Sequence, residues 1–193
     1  MKYWVHEDTL IIEGNFKAVS SGLLGGWKKV NHIFNHTVDE KAFDLHNPVD
    51  YLKDVAAKYG FEEYFGLLTA VPMKNLTVVR KGDVLVFATA GVNNPNSRIG
   101  TINIIVVVDA MVSDGGMING IITATEAKSA ELISRKHNFT GTNTDAVIIA
   151  QIETKKSGRK YYEYAGPASE LGVKIWNGVR EAVGKSLAKW YGD

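Results

Sequence analysis

Residues 104–108 read Ile-Ile-Val-Val-Val, and no other stretch limits the possible folds of this chain so sharply. Five successive β-branched residues are stiff at χ1 and suit a pleated strand better than a helix. With no polar position among them, the strand has to be buried. Other apolar segments flank turn signals and predict hairpins: 9–12 and 16–20 around Glu13-Gly14-Asn15, and 76–80 and 84–88 around Lys81-Gly82-Asp83. A third would join 102–108 to 117–123 across Ser113-Asp114-Gly115-Gly116. Residues 146–152 form a further buried strand, with 161–164 as its partner across a basic tip at 155–160.

Helices interrupt these strands. Asn47 followed by Pro48 is an N-cap with proline in the first turn, Tyr51, Leu52, Val55 and Ala56 follow at helical spacing, and Gly60 closes the segment. A second helix is expected over 125–137, with Ala127, Ala130, Leu132 and Ile133 inward. A third, over 169–190, puts Val173, Trp176, Val179, Val183, Leu187 and Trp190 on one face. The expectation is an α+β fold: a mixed, largely antiparallel sheet covered by helices, in a single layered domain over residues 1–193.

Composition narrows the function. The 22 basic and 21 acidic residues leave a net charge of +1, so no global field recruits nucleic acid or an anionic membrane. No apolar run approaches a membrane span, and the N-terminus carries Glu7 and Asp8 rather than a signal sequence. Cysteine is absent, which removes disulfides, thiol catalysis and thiolate-bound zinc. A cytoplasmic protein is expected, with a homo-oligomer left open.

Six short polar boxes lie where strands start or end: SSGLLGG at 20–26, GLLTA at 66–70, TAGVNN at 89–94, GTIN at 100–103, ATEAK at 124–128 and GTNTD at 141–145. Each has a plain reading. Thr123 and Glu126 have capping-box spacing; GTNTD is a polar turn; the glycines of SSGLLGG make turns and match neither a P-loop nor a dinucleotide pattern. Each also has a chemical reading. A strand-to-helix junction at ATEAK presents a carboxylate, an ammonium and free amides, the parts that amide hydrolysis needs. Asp145 stands directly before a buried strand, and Asn103 is an amide that burial obliges to find a partner. His32 and His36, four apart, would share a helical face as half a metal site, but no acid lies between them and no third ligand follows. Asp44-Leu45-His46 opens like a cobalt-ligating signature whose glycine position is Val49, so it fails.

In this order the boxes resemble the adenosylcobinamide amidohydrolase family over residues 20–172, enzymes of archaeal corrinoid salvage that cut the amide joining aminopropanol to the corrin side chain and leave adenosylcobyric acid. Trp27 stands where the family has a glycine, and Pro167 and Ser169 where it has threonines. The resemblance implies Glu126, Asp145 and His36 as catalytic candidates. It implies substrate contacts from Ser20, Ser21, Gly25, Gly26, Asn35, Thr69, Thr89, Asn93, Thr101, Asn103, Thr125, Lys128, Thr142 and Thr144. No metal or cofactor is expected, the cobalt belonging to the substrate. Three other readings stay open: a non-catalytic corrinoid-binding protein, a self-processing hydrolase with an N-terminal threonine at 101, 125 or 142, and a structural protein without a small-molecule site.

Overall fold

The structure is a computed structural model describing residues 1–39, 47–92, 100–155 and 157–192. Its strands are β1 (Lys2–His6), β2 (Thr9–Ser20), β3 (Gly26–Thr37), β4 (Tyr64–Thr69), β5 (Thr77–Lys81), β6 (Val84–Val92), β7 (Gly100–Val108), β8 (Met111–Val112), β9 (Ala146–Ile152) and β10 (Tyr161–Tyr162). The helices are α1 (Pro48–Lys58), α2 (Asp114–Ser134) and α3 (Glu170–Tyr191).

Eight strands make one sheet in the order β4-β3-β2-β9-β7-β6-β5, with β1 also paired to β2. Only β3–β4 and β7–β9 are parallel within it; the other pairings are antiparallel. This is the mixed, largely antiparallel α+β architecture that the pattern of strands and helices predicts. Among the described residues, no helix is long and apolar enough to cross a membrane.

Strand alternation sorts the core into two faces. Ile102, Ile104, Val106 and Val108 of β7 pack with Met117, Ala124 and Ala127 of α2 and Ile175, Val179, Val183 and Leu187 of α3. Ile105 and Val107 point the other way, into a cluster with Leu10, Ile12, Ile33, Phe65, Leu67, Phe87 and Ile148. That cluster draws on strands from both ends of the order, so the sheet curls with this face inside, and Asn103 of β7 reaches the Leu68 carbonyl of β4 at 2.9 Å. The helix α1 covers the outer side of β3 and β4 through Phe34, Leu52, Val55 and Ala56.

Several local expectations change. Glu13-Gly14-Asn15 is a bulge inside one twelve-residue strand, not a turn. Ser113-Asp114-Gly115-Gly116 starts a helix: the Ser113 side chain accepts the Gly116 amide at 2.8 Å, and 117–123 is helical. Gly116 serves close approach rather than a turn, since a Cβ there would sit 2.9 Å from the Glu163 carbonyl oxygen. Ile133 and Val173 are exposed, at 58% and 44%. Residues 161–162 pair with β8, not with β9, and β9 lies between β2 and β7. The Asn47 cap and the Lys81-Gly82-Asp83 hairpin form as expected, with Gly82 at φ 62°. Lys174 ties α3 to that hairpin through Asp83 at 2.7 Å. Burial works to raise the Asp83 carboxyl, but hydrogen bonds from Lys174 and Tyr162 outweigh it and hold it low.

Candidate active site

On the inner face, Asn103 and Thr89 are paired across β7 and β6, and the curl brings Asn35 of β3 against both. Asn35 Nδ2 donates to Thr89 Oγ1 at 2.9 Å. Asn103 Nδ2 donates twice, to Asn35 Oδ1 at 2.8 Å and to the Leu68 carbonyl at 2.9 Å. A carbonyl can only accept, so Leu68 fixes which way the Asn103 amide faces. Among the described residues, Asn103 Oδ1 is then a buried acceptor without a partner, on a residue 2% exposed.

Two residues earlier on the same face of β7, Thr101 Oγ1 lies 2.9 Å from Thr144 Oγ1. The turn that carries Thr144 is built around Asp145, whose side chain alternates to the helix side. Its carboxylate accepts from the Ile102 amide (2.9 Å), the Thr142 amide (3.0 Å), the Thr142 hydroxyl (2.6 Å) and Lys128 Nζ (2.6 Å). Lys128 comes from α2, and the side chains of the pair are only 8% and 11% exposed. Gly141 is what lets them meet: a Cβ there would lie 2.4 Å from Asp145 Oδ2 and 2.5 Å from Lys128 Nζ. A carboxylate has about four lone-pair sites, and these are engaged. Asp145 therefore holds a cation and a turn together.

SSGLLGG is the β2–β3 turn, and it borders the same edge of the sheet. The Ser21 amide donates to the Val147 carbonyl at 3.0 Å and Ser21 Oγ accepts the Val147 amide at 3.0 Å. Ser20 Oγ accepts the Gly22 amide, and Gly22 abuts the Leu67 and Ala146 side chains. Gly25 sits so close to the Ser20 carbonyl that no Cβ fits, and Gly26 has φ 90°. Leu23, Leu24 and Trp27 stand exposed beside it. Thr69 is buried and accepts the Val71 amide at 3.0 Å, a turn role.

Other candidates lie elsewhere. ATEAK is in the middle of α2, twelve residues past its start, so the strand-to-helix junction and its capping box do not exist. Thr123 Oγ1 instead donates to the Ala165 carbonyl at 2.7 Å, and Thr125 Oγ1 to the Ile121 carbonyl at 2.8 Å. Glu126 is exposed, and at 100° per residue it points nearly opposite to the buried Lys128. Glu126→Gln is accordingly expected to leave both turnover and thermal stability near wild type; a loss of rate beyond about 10² would return this carboxylate to the chemistry. Asn93, Asp44 and His46 fall outside the described residues.

His36 follows Asn35 on a strand and so faces the opposite way, toward α1, where Thr9 Oγ1 is 2.7 Å from its Nδ1. His32 is on the same strand, not a helix, and stacks on Phe61. Among the described residues no three His, Asp or Glu side chains gather as metal ligands. Tyr59 donates to the same Thr9 hydroxyl at 3.1 Å. Burial, above the smaller pull of Asp8, holds the His36 pKa below its ordinary 6.5. The unfolded chain thus binds more protons than the native state between that lowered pKa and about 6.5. His36 costs no stability above that window and destabilises progressively as pH falls through it. The melting temperature of wild type should fall more between pH 7 and pH 5 than that of His36→Gln; equal falls would remove His36 from the acid response.

Two open clefts lie away from the cluster. One of about 520 Å³ is lined by Lys81, Glu131, Arg180 and Glu181 between α2 and α3; the other, of about 810 Å³, is lined by Phe16, Lys29, Glu63 and Glu153 at the β2 bulge. Neither contains a residue of the boxes, and both are bordered by opposite charges that pair with each other or with neighbouring residues. The residues that sequence reasoning missed are the Leu68 carbonyl and Gly141. The first has no sequence signal because it is backbone; the second was visible in GTNTD as a glycine four residues before an acid.

The protein is similar to known proteins over almost its whole length. The family described as adenosylcobinamide amidohydrolase matches residues 3–193. A protein of that name from Methanosarcina mazei is 42% identical over 97% of this chain and 98% of its own. One from Halobacterium salinarum is 31% identical over 88% and 79%, and an uncharacterised protein of Methanocaldococcus jannaschii is 30% identical over 94% and 86%. With this coverage, the chain belongs to the adenosylcobinamide amidohydrolase family.

Proposed function

We propose that the cluster at the starts of β7 and β9 is where this hydrolase cleaves the amide between aminopropanol and the corrin side chain, giving adenosylcobyric acid. In the reaction water adds its oxygen to the amide carbon, the C–N bond breaks, and the nitrogen leaves as aminopropanol with the proton water gives up. The reaction rests on family membership over residues 3–193. The residue assignment rests on one observation: a buried ammonium, Lys128, held at this edge by a carboxylate whose acceptor sites are engaged.

Asp145 uses one of the three Lys128 N–H groups. The others supply positive charge for the oxyanion that forms on the substrate carbonyl, the role in which a fixed cation in a dry site is most effective. Asp145 is a positioning residue. Thr101 and Thr144 orient the attacking water or the substrate carbonyl, and Ser20, Ser21 and the Leu23–Leu24–Trp27 rim form the wall against which the macrocycle lies. Substrate contacts are then mostly neutral, made by Thr, Asn and backbone groups. No step is assigned to a resident metal, and turnover is expected to survive dialysis against a chelator.

Incubation of the protein with adenosylcobinamide, followed by mass spectrometry, should yield adenosylcobyric acid and aminopropanol. Tight binding without product over hours would instead make the chain a corrinoid-binding protein. Intact mass separates a self-processing hydrolase at once; release of Thr125 as an N-terminus would require cutting α2 at its centre.

A further inference from the structure

Asn103 carries a feature that the cleavage reaction does not by itself require. Its Oδ1 is buried and, among the described residues, unpartnered, while its Nδ2 serves two acceptors. Turning the amide over would set Oδ1 against the Leu68 carbonyl oxygen, two acceptors facing each other. Asn35 could turn to accommodate such a change, because its other partner is the Thr89 hydroxyl, which can donate or accept. The Leu68 carbonyl cannot. The sheet therefore presents an acceptor, and only an acceptor, from the Asn103 side chain.

Buried acceptors are almost always satisfied, so something with an N–H or O–H belongs here. The Thr101–Thr144 hydroxyl pair stands on the same face two residues away, about 7 Å along the strand. A hydroxyl can donate to a carbonyl oxygen while Asn103 Oδ1 accepts from a nitrogen. That order of donor and acceptor matches an amide and mismatches a carboxylate, whose oxygens would be repelled at Oδ1. The reading rests on the cluster being the substrate site. We propose that Asn103 Oδ1 receives an amide N–H of the corrinoid and is the group by which the site selects amide over carboxylate. The amide is either the one to be cut or a primary carboxamide on the rim of the macrocycle. If it is the first, hydrolysis replaces the N–H by a carboxylate oxygen and so loosens the product.

The test compares corrinoids as competitive inhibitors of adenosylcobinamide cleavage by the full-length protein. One pair carries a primary amide or a carboxylate at the cleaved side chain; a second pair differs in the same way at a rim side chain. At pH 7 the amide member of one pair should inhibit at least about 10-fold more tightly than its acid, since a site built to bond an N–H rejects the analogue lacking it. Which pair shows the difference identifies the amide. The acid should close the gap as pH is lowered toward 5, because a protonated carboxyl can donate where a carboxylate cannot. In Asn103→Leu the preference should fall to about 2-fold or less. If that variant shows no melting transition, the wild-type pH dependence still decides. Cleavage of adenosylcobinamide with no amide preference in either pair overturns the role of Asn103 and leaves the site assignment standing. Amide preference together with full activity in Lys128→Met sinks the catalytic assignment and leaves Asn103 standing.

Discussion

Lys128→Met is expected to bind adenosylcobinamide nearly as well as wild type while turning it over about 10²–10³-fold more slowly, and adding Asp145→Asn should recover stability without recovering rate. The single substitution removes the cation from a pair whose side chains are 8% and 11% exposed. It leaves Asp145 charged, still accepting from the Ile102 and Thr142 amides and the Thr142 hydroxyl. An uncompensated buried charge costs about 3–5 kcal/mol, so loss of activity in the single variant alone could reflect a weakened fold. The double variant separates the two effects. With no charge on either side the desolvation penalty disappears and the melting temperature should rise again, whereas the cation that polarises the carbonyl is still missing. A double variant that regains both stability and turnover would make the pair purely structural.

Gly141→Ala should destabilise the protein by about 3–5 kcal/mol and lower turnover with it, the second largest effect expected. The added methyl would overlap Asp145 Oδ2 at 2.4 Å and Lys128 Nζ at 2.5 Å. Both atoms end side chains, but both are buried and hydrogen-bonded to each other, so neither can swing away without parting the pair. Thr142, next in the chain, would lose its two bonds to the same carboxylate. Gly115→Ala is the control. Nothing lies closer than 3.9 Å to a Cβ at 115, which stands in the first turn of α2. That variant should match wild type or gain about 0.4–1 kcal/mol. Denaturant unfolding of the two side by side checks the contrast. Equal stability would mean that the strand-start turn yields to accommodate the methyl.

Much of the fold was legible along the chain. The run at 104–108, the Asn47-Pro48 start and the Lys81-Gly82-Asp83 turn are recorded by residues within a few positions of each other, and all three form as read. The errors share a cause. Gly14 and Gly115-Gly116 look like turns when only neighbours are considered, but β2 continues through a bulge and α2 begins at Ser113. In both cases packing decided: Gly120 of α2 lies on Ile149 of β9, a contact that sequence spacing does not disclose. Ile133 fits the apolar pattern of a shorter helix, but the true face of α2 is set by a start eleven residues earlier.

By itself the sequence determined which residue types reach the edge of the sheet. Threonine, asparagine, glycine and one acid stand at or near strand ends, because apolar strands have to stop where polar side chains begin, and one lysine reaches them from α2. It could not determine which of them meet. Asn103 finds Asn35 across 68 residues and the Leu68 carbonyl across 35, and both contacts exist only because the sheet curls. Alternation along a strand then separates neighbours that the sequence places together, sending Asn35 inward and His36 toward α1. Helical rotation does the same to Glu126 and Lys128, two residues apart and on nearly opposite sides of α2. Tertiary structure decided the membership of the site because proximity there is set by how sheet and helices wrap, and a sequence lists only proximity along the chain.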